Sequence, residues 1–246
     1  MGKVKIKKKE TRIDMTAMSD VTVLLLTFFM LTSTFLQKEP VQVITPPSVS
    51  EDKVPDQKLL TILVTTQKNA QGEAEPKVYM ELVGTADSSI ISSEALREET
   101  LKEFCSKRNI NNLTAEDIQV FKKQNAFGMP AAKLKQWLSL KDEDERSKML
   151  ESEGGIPIKW TTDEAVQAKK LTEFQEWVQA AYAIYYNKSL ELDDKTVVED
   201  MKNGKGIAVK ADQGTPYSIV EVIMNNLQTI HRNKFTLMTA LKTDSN

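Results

Sequence analysis

The sequence predicts a single transmembrane α-helix followed by an α+β domain, in which a small mixed sheet packs with helices and a mainly α-helical insertion interrupts the domain. Three observations predict this fold class. One apolar segment lies near the N-terminus, alternating apolar residues typical of strands occur on both sides of the insertion, and helical apolar spacing fills the insertion itself. The 246-residue chain is 40% hydrophobic, which is enough for the part beyond the apolar segment to bury a core.

The apolar segment covers residues 15–36 and contains one charged residue, Asp20. About 22 helical residues rising about 1.5 Å each cover a hydrocarbon core of about 30 Å. Basic residues dominate residues 1–14, so the positive-inside rule places these residues in the cytoplasm and the rest of the chain outside. A cleaved signal peptide has the same layout, but the acid and the missing Ala-x-Ala-like site argue against cleavage.

The charge balance excludes one class of partner. The chain carries 33 basic and 35 acidic residues, and the first 20 residues hold 6 basic and 3 acidic ones, so 27 basic and 32 acidic residues remain. Because nucleic-acid binding requires a basic face, we expect no nucleic-acid partner. The single cysteine, Cys105, excludes an intramolecular disulfide. No nucleophile–base set, phosphate loop or metal-ligand spacing occurs outside the apolar segment, so we expect no cofactor, no metal and no enzyme activity.

Asp20 is the main candidate for a functional residue. A carboxylate within a membrane span costs a few kcal/mol on insertion scales, and such residues commonly handle ions or protons. Positions seven apart share a helix face, so Thr27 and Thr34 continue a polar stripe below Asp20. The alternatives are an acid near the helix start that the helix dipole stabilises, and threonine hydroxyls that bond preceding carbonyls of their own helix.

The part beyond the apolar segment begins with a proline-rich stretch, residues 37–57, which predicts an extended linker. Alternation predicts strands at 59–65 and 78–83 joined by a turn at 71–73, and a helix follows from Ser92 to about Cys105. Strand, strand and helix here indicate the first half of an α+β domain.

The second half of this domain is predicted near the C-terminus. Residues 207–210 alternate as a strand, and Asp212-Gln213-Gly214 supplies turn chemistry. Pro216 favours the first turn of the helix that follows, and residues 235–241 predict a last strand.

Residues 106–203 form the predicted helical insertion. Thr114 marks a helix start, residues 131–140 and 141–151 read as helices, and the longest helix is predicted to begin near Thr162. Its aromatic residues fall on one periodic stripe, which is typical of a core and not of a ligand site.

Two segments carry a resemblance to a known family. Residues 12–21, followed by 24–32, resemble the membrane entry and span of the ExbD/TolR family, although Ala17 replaces a common proline and Ser19 an apolar residue. Residues 206–224 resemble the closing strand, turn and helix of its periplasmic domain. The resemblance covers about residues 10–105 and 204–243.

The resemblance implies a proton-driven motor of the inner membrane of a Gram-negative bacterium. It assigns Asp20 as the proton carrier, with Thr27 and Thr34 as candidates for guiding water or the proton. It also implies a homodimer of this chain, a pentameric ring of ExbB/TolQ-like subunits and a TonB- or TolA-like coupling protein for outer-membrane transport. Peptidoglycan is a further candidate partner.

We therefore divide the chain into a cytoplasmic N-terminus (1–14), a transmembrane helix (15–36), a linker (37–57), a periplasmic domain (58–105 and 204–243) and the insertion (106–203).

An alternative function stays open: a membrane-tethered periplasmic adaptor or cell-wall-binding protein that conducts no protons. Replacing Asp20 by asparagine separates the two hypotheses.

Overall fold

The structure is a computed structural model that describes residues 15–32, 43–45, 47–48, 60–68, 74–84, 91–168, 170–191, 199, 206–238 and 240–241. The chain divides into two compact units, residues 1–38 and residues 39–246. Among the described residues, the helices are α1 (Met15–Thr32), α2 (Ser93–Arg108), α3 (Ala115–Lys122), α4 (Ala131–Ser139), α5 (Glu143–Glu153), α6 (Asp163–Gln167), α7 (Glu173–Glu191) and α8 (Tyr217–Thr229). The strands are β1 (Pro47–Ser48), β2 (Leu60–Lys68), β3 (Ala74–Leu82), β4 (Ala126–Phe127), β5 (Ile207–Ala211), β6 (Thr236–Met238) and β7 (Ala240–Leu241).

The described part of the first unit is α1. This helix has 18 residues, so its length is about 27 Å at about 1.5 Å per residue. Leucine, methionine, phenylalanine and alanine make up most of it, and none of its residues is glycine or proline. The predicted span of residues 15–36 continues past Thr32, where the described residues of this unit end.

The second unit is built on a five-stranded mixed sheet with the order β4-β3-β2-β5-β6. Strands β2 and β3 are antiparallel, from Leu60 opposite Leu82 to Lys68 opposite Ala74. Strand β5 is parallel to β2 and places Ile207 opposite Leu60. The prediction of a mixed sheet with helices is confirmed, although the turn predicted at 71–73 lies outside the described residues.

The central strand, β2, is buried on both faces. All side chains from Leu60 to Val64 are buried, including Ile62 and Val64 at 0% exposure. A strand with neighbours on both edges and cover on both faces has a nearly continuous apolar run, and Leu-Leu-Thr-Ile-Leu-Val fits that description. The strand is therefore the centre of the core and not a half-exposed surface strand.

The insertion packs into the same core as the sheet. Trp177 of α7 stacks on Phe104 of α2, with ring centroids 3.7 Å apart and planes 11° apart. Phe121 of α3 and Phe127 of β4 complete this aromatic cluster, with centroids 6.0 Å and 4.8 Å from that of Trp177. The predicted stripe of core aromatics is confirmed, and β4 extends the sheet from within the insertion.

Two predictions about the insertion have different outcomes. The helix start at Thr114 is confirmed, since its hydroxyl accepts from Asp117 N and the Asp117 side chain accepts from Thr114 N, a capping box. The single long helix from Thr162 is wrong. The chain forms the short α6 and then α7, because Thr172 and Gln175 make a second reciprocal cap that starts a new helix.

The C-terminal region follows the predicted order of strand, turn and helix. Pro216 stands just before α8 as its N-cap, and His231 follows the helix with a φ of 60°. The predicted last strand, 235–241, is two short strands in different sheets: β6 pairs with β5, and β7 pairs in parallel with β1.

Candidate functional site

The apolar side chains of α1 are exposed on all sides of the helix. Their exposed fractions range from 56% for Leu25 to 87% for Leu31. A helix that is apolar all round is typical of a segment surrounded by other protein or by lipid. Within the described part of the chain, no helix combines the length and the hydropathy required to cross a membrane.

Asp20 lies on α1 and is exposed in the isolated chain. It is the sixth residue of the helix, whose first turn contains no acidic residue. The helix dipole acts mainly on the first turn, so Asp20 does not have the position of an acid that stabilises a helix start. The Asp20 carboxyl group can therefore contact lipid, water or another protein that lies next to α1.

Two of the three residues of the predicted polar stripe, Asp20 and Thr27, lie in the described part of the chain. Asp20 and Thr27 are seven residues apart and therefore lie within about 20° of each other around the helix axis. The Thr27 hydroxyl donates to Leu24 O at 2.9 Å. Thr22 and Thr32 make the same kind of bond from other faces, to Met18 O and Phe28 O. The hydroxyl bond therefore does not distinguish Thr27, and Thr34 lies outside the described residues.

In the folded domain, a buried carboxylate connects three helices. Glu173 Oε1 accepts from Ala131 N at 2.7 Å, and its Oε2 lies 3.6 Å from Arg108 Nη1. Arg108 also pairs with Glu176. Burial raises the pKa of Glu173, and this effect outweighs the hydrogen bond from Ala131 and the charge of Arg108. The group ties α2, α4 and α7 together.

A buried arginine performs a similar task near the sheet. Arg97 is 7% exposed, and it donates from Nε to Leu82 O at 3.2 Å and from Nη1 to Lys122 O at 3.0 Å. Burial lowers the pKa of Arg97, although the guanidinium stays charged. It holds the end of α3 against the end of β3.

An amide side chain fastens α8 to the insertion. Asn226 is fully buried; its Oδ1 accepts from Thr172 Oγ1 at 2.9 Å and its Nδ2 donates to Lys159 O at 2.8 Å. A hydrogen-bonded buried amide fixes the relative position of the elements that it joins. No sequence pattern indicated Glu173, Arg97 or Asn226 as connecting residues, because their partners are distant in sequence. Thr172-x-x-Gln175, a capping-box pattern, is the one local sequence pattern among these contacts, and it indicates the start of a helix.

One open cavity of about 320 Å³ lies between the C-terminal half of α2 and α3. It is lined by Leu101, Lys102, Cys105, Ser106, Asn109, Ile110, Asn111, Leu113 and Ile118. Cys105 is buried, and burial raises the pKa of its thiol to about 11, so the thiol stays protonated near neutral pH. The cavity therefore holds no activated nucleophile.

Comparison with known proteins identifies the family. A family model described as Biopolymer transport protein ExbD/TolR matches residues 7–242. Neither a search of curated proteins nor a search of solved structures returns a match to this chain. Proteins of the matched family are inner-membrane-associated components of transport motors, not known enzymes, and act with ExbB/TolQ-type and TonB/TolA-like proteins. Because the match includes both resembling segments and the insertion between them, this chain belongs to the ExbD/TolR family.

Proposed function

We propose that this chain harnesses the proton-motive force in an inner-membrane motor of the ExbB–ExbD or TolQ–TolR type, with Asp20 as the proton carrier. The observation that carries the proposal is the position of Asp20 on a helix whose apolar side chains are more than half exposed on every face. Such a surface is favourable only next to lipid or other apolar protein, and a carboxylate kept there has a functional reason.

The proposed arrangement follows the topology expected from the sequence. Residues 15–36 span the inner membrane, the N-terminus is cytoplasmic and the folded domain is periplasmic. Two copies of the chain lie within a pentameric ring of ExbB/TolQ-like subunits. A TonB- or TolA-like protein receives the output in the periplasm.

The proton cycle depends on the surroundings of Asp20. In a seam between α1 and the ring, low polarity favours the neutral carboxyl group. A proton arriving from the periplasmic side neutralises Asp20 and permits the ring to move past it. Release to the cytoplasm restores a charge that the ring accommodates in a new position. Each proton crossing 100 mV supplies about 2.3 kcal/mol, so large mechanical work needs several protons.

The folded domain serves to couple this movement to the periplasmic partner. Its buried polar side chains described above, Arg97, Glu173 and Asn226, connect helices to one another and to the sheet. A domain held together in this way transmits a displacement as a rigid body. The coupling role is therefore mechanical.

The test is Asp20→Asn, which keeps the size of the side chain and removes the proton. In cells that depend on this chain, we expect the variant to reach the membrane and copurify with the ring but to lose energised uptake or envelope function. Asp14→Asn, the same change in the predicted cytoplasmic segment, is the control and keeps full output. An adaptor without proton conduction predicts normal output for both variants, and that result would refute the motor.

Thr27 is tested by a matched pair of threonines. Thr27→Val and Thr22→Val each remove a hydroxyl that bonds a carbonyl of α1, but only Thr27 shares the face of Asp20. If Thr27 guides water or the proton, Thr27→Val slows output and Thr22→Val does not. Equal rates for the two variants would remove Thr27 from the pathway.

A further inference from the structure

One of the three tryptophans of the chain is exposed. Trp160 is 56% exposed, whereas Trp137 is 0% and Trp177 is 1% exposed. Tryptophan is highly buried on average, and at protein interfaces it is among the residues whose truncation costs the most binding free energy. Trp160 is therefore a candidate contact residue, provided that the chain around it is fixed.

The backbone on both sides of Trp160 is held by α8. Lys159 O accepts from Asn226 Nδ2 at 2.8 Å, and Thr161 N donates to Asn225 Oδ1 at 2.9 Å. Thr161 is 5% exposed, so the chain turns back into the domain directly after the indole. Because this backbone is already ordered, contact with a partner loses little conformational entropy of this chain.

The same segment is also anchored near the sheet. Gly155 N donates to Gly128 O at 2.7 Å, and Ile156 N donates to Val78 O of β3 at 2.8 Å. Ile156 is 1% exposed, so this end of the segment belongs to the core. The segment is thus held at two places, and Trp160 is exposed beside the second of them.

A second exposed aromatic residue and an acid lie on the helix that holds Trp160. Tyr217, which is 71% exposed, and the exposed Glu221 precede Asn225 at intervals of four residues, so the three share one face of α8. Tyr217 and Asn225 are about 12 Å apart along the helix axis. Because Asn225 binds the residue after Trp160, Glu221 lies between Tyr217 and the anchor of Trp160.

The charges next to Trp160 are mainly negative. The exposed Asp163 and Glu164 form the first turn of α6, three and four residues after Trp160. Together with Glu221 they give three exposed carboxylates, against the one exposed base Lys159. The face of an indole ring attracts cations, and exposed carboxylates add an attraction that salt screens. This surface is therefore complementary to a positively charged group.

We propose that five residues, here called the Trp160 surface, form a docking site for a positively charged protein segment that contains arginine or lysine: Trp160, Asp163, Glu164, Tyr217 and Glu221. One cationic side chain of the segment stacks on the indole of Trp160, and its neighbours pair with the carboxylates. An extended segment rises about 3.3 Å per residue, so side chains about four residues apart reach both aromatic rings. The inference goes beyond the proposed function, since it requires no proton transfer by Asp20.

Tryptophan fluorescence tests the docking site selectively. In the full chain in uncharged detergent, acrylamide quenches Trp160 more than the buried Trp137 and Trp177. The probe is a capped hexa-arginine peptide. At low ionic strength we expect it to lower the quenching of Trp160 at least about twofold, and to do so less at about 1 M salt, where the Debye length is about 3 Å. Unchanged quenching at low ionic strength would overturn the proposal.

Two variants identify the residues that bind the peptide. Trp160→Ala removes the ring, and Glu221→Gln removes the charge while keeping the size of the side chain. We expect each to weaken the binding of fluorescein-labelled hexa-arginine at least about threefold, measured by fluorescence anisotropy. If Trp160→Ala also changes the circular dichroism of the domain, Glu221→Gln decides the matter. Original affinity in Glu221→Gln and in a folded Trp160→Ala would overturn the proposal.

Two controls match these variants elsewhere on the domain. Leu190 is 60% exposed, close to the exposure of Trp160, and Glu145 is an exposed acid of α5 as Glu221 is of α8. We expect Leu190→Ala and Glu145→Gln to bind hexa-arginine with the affinity of the original chain. Losses equal to those of Trp160→Ala and Glu221→Gln would show that the peptide responds to any exposed apolar side chain or acid, and would overturn the Trp160 surface as the site.

A neutral glycan is the other class of ligand that a flat exposed ring can stack on. Chitotriose is therefore titrated in the same acrylamide experiment, and we expect it to leave the quenching of Trp160 unchanged. Protection by chitotriose without protection by hexa-arginine would assign the Trp160 surface to a carbohydrate and would overturn the proposal.

Discussion

The two units of this chain use the same residue types in opposite ways. In the folded domain, Trp177 and Phe104 are at most 1% exposed, whereas Phe28 and Leu31 of α1 are 59% and 87% exposed. The domain gains stability by burying apolar surface within the chain, and α1 has no such burial among the described residues. The difference is that the described residues of the domain form their own core, whereas the apolar side chains of α1, the helix that carries Asp20, are exposed.

The largest expected effect is a loss of domain stability from the aromatic cluster. Trp177→Ala should lower the free energy of unfolding by about 3–5 kcal/mol, because it leaves a cavity beside Phe104. Urea unfolding of the full chain in detergent, followed by circular dichroism, measures it. Trp160→Ala, at a site that is 56% exposed, should cost less than about 0.5 kcal/mol. Equal losses would show that the insertion is not part of the core.

The next effect tests the surroundings of α1. Leu25→Asp should cost about 2.5–3.5 kcal/mol for insertion and lower the fraction of chain retained in carbonate-washed membranes. Leu190→Asp is the matched control, because Leu190 of α7 is 60% exposed and Leu25 is 56% exposed. We expect the control to be retained like the original chain. Equal retention of both variants would mean that α1 does not lie in lipid.

The smallest effect concerns the pH dependence of the domain. Burial raises the pKa of Glu173 above its ordinary value of 4.5, so the folded state binds more protons than the unfolded state between the two values. Stability therefore falls as pH rises from about 4.5 through the folded-state pKa. Glu173→Gln should remove this slope and change stability by at most about 1 kcal/mol, because glutamine keeps an acceptor for Ala131 N.

The change of stability with pH is measured from the urea midpoints of unfolding between pH 4.5 and pH 7. Glu145→Gln is the control, since Glu145 is exposed on α5. We expect the control to keep the pH dependence of the original chain. A slope that survives in Glu173→Gln would assign the pH dependence to another group.

Local patterns in the sequence were sufficient for most elements of the fold. Alternation over residues 59–65 and the Pro216 helix start predicted elements that the structure contains, although β2 is buried on both faces from Leu60 to Val64. The single helix from Thr162 was wrong because helical periodicity continued across the break, and the Thr172–Gln175 cap was not taken into account. Local periodicity carries no information on where a side chain finds a distant partner.

The same limit applies to the contacts between distant segments. Strand β4 has two residues, too few for a period to be visible, and its place in the sheet depends on β3. The Asp212 turn was predicted from its residues, but its bond to Ile44 joins positions 168 residues apart. Asp20 is a candidate from the sequence alone because a carboxylate is unusual among its apolar neighbours, which is a local signal.

Proton flux through the assembled complex tests the central claim most directly. The chain is reconstituted in liposomes with the proposed ExbB/TolQ-type partner, a membrane potential is applied, and internal pH is followed with the original chain, with Asp20→Asn and with Asp14→Asn. We expect the original chain and Asp14→Asn to conduct protons, and Asp20→Asn to fall to the rate of liposomes without this chain. Flux through Asp20→Asn equal to that of the original chain would contradict the account.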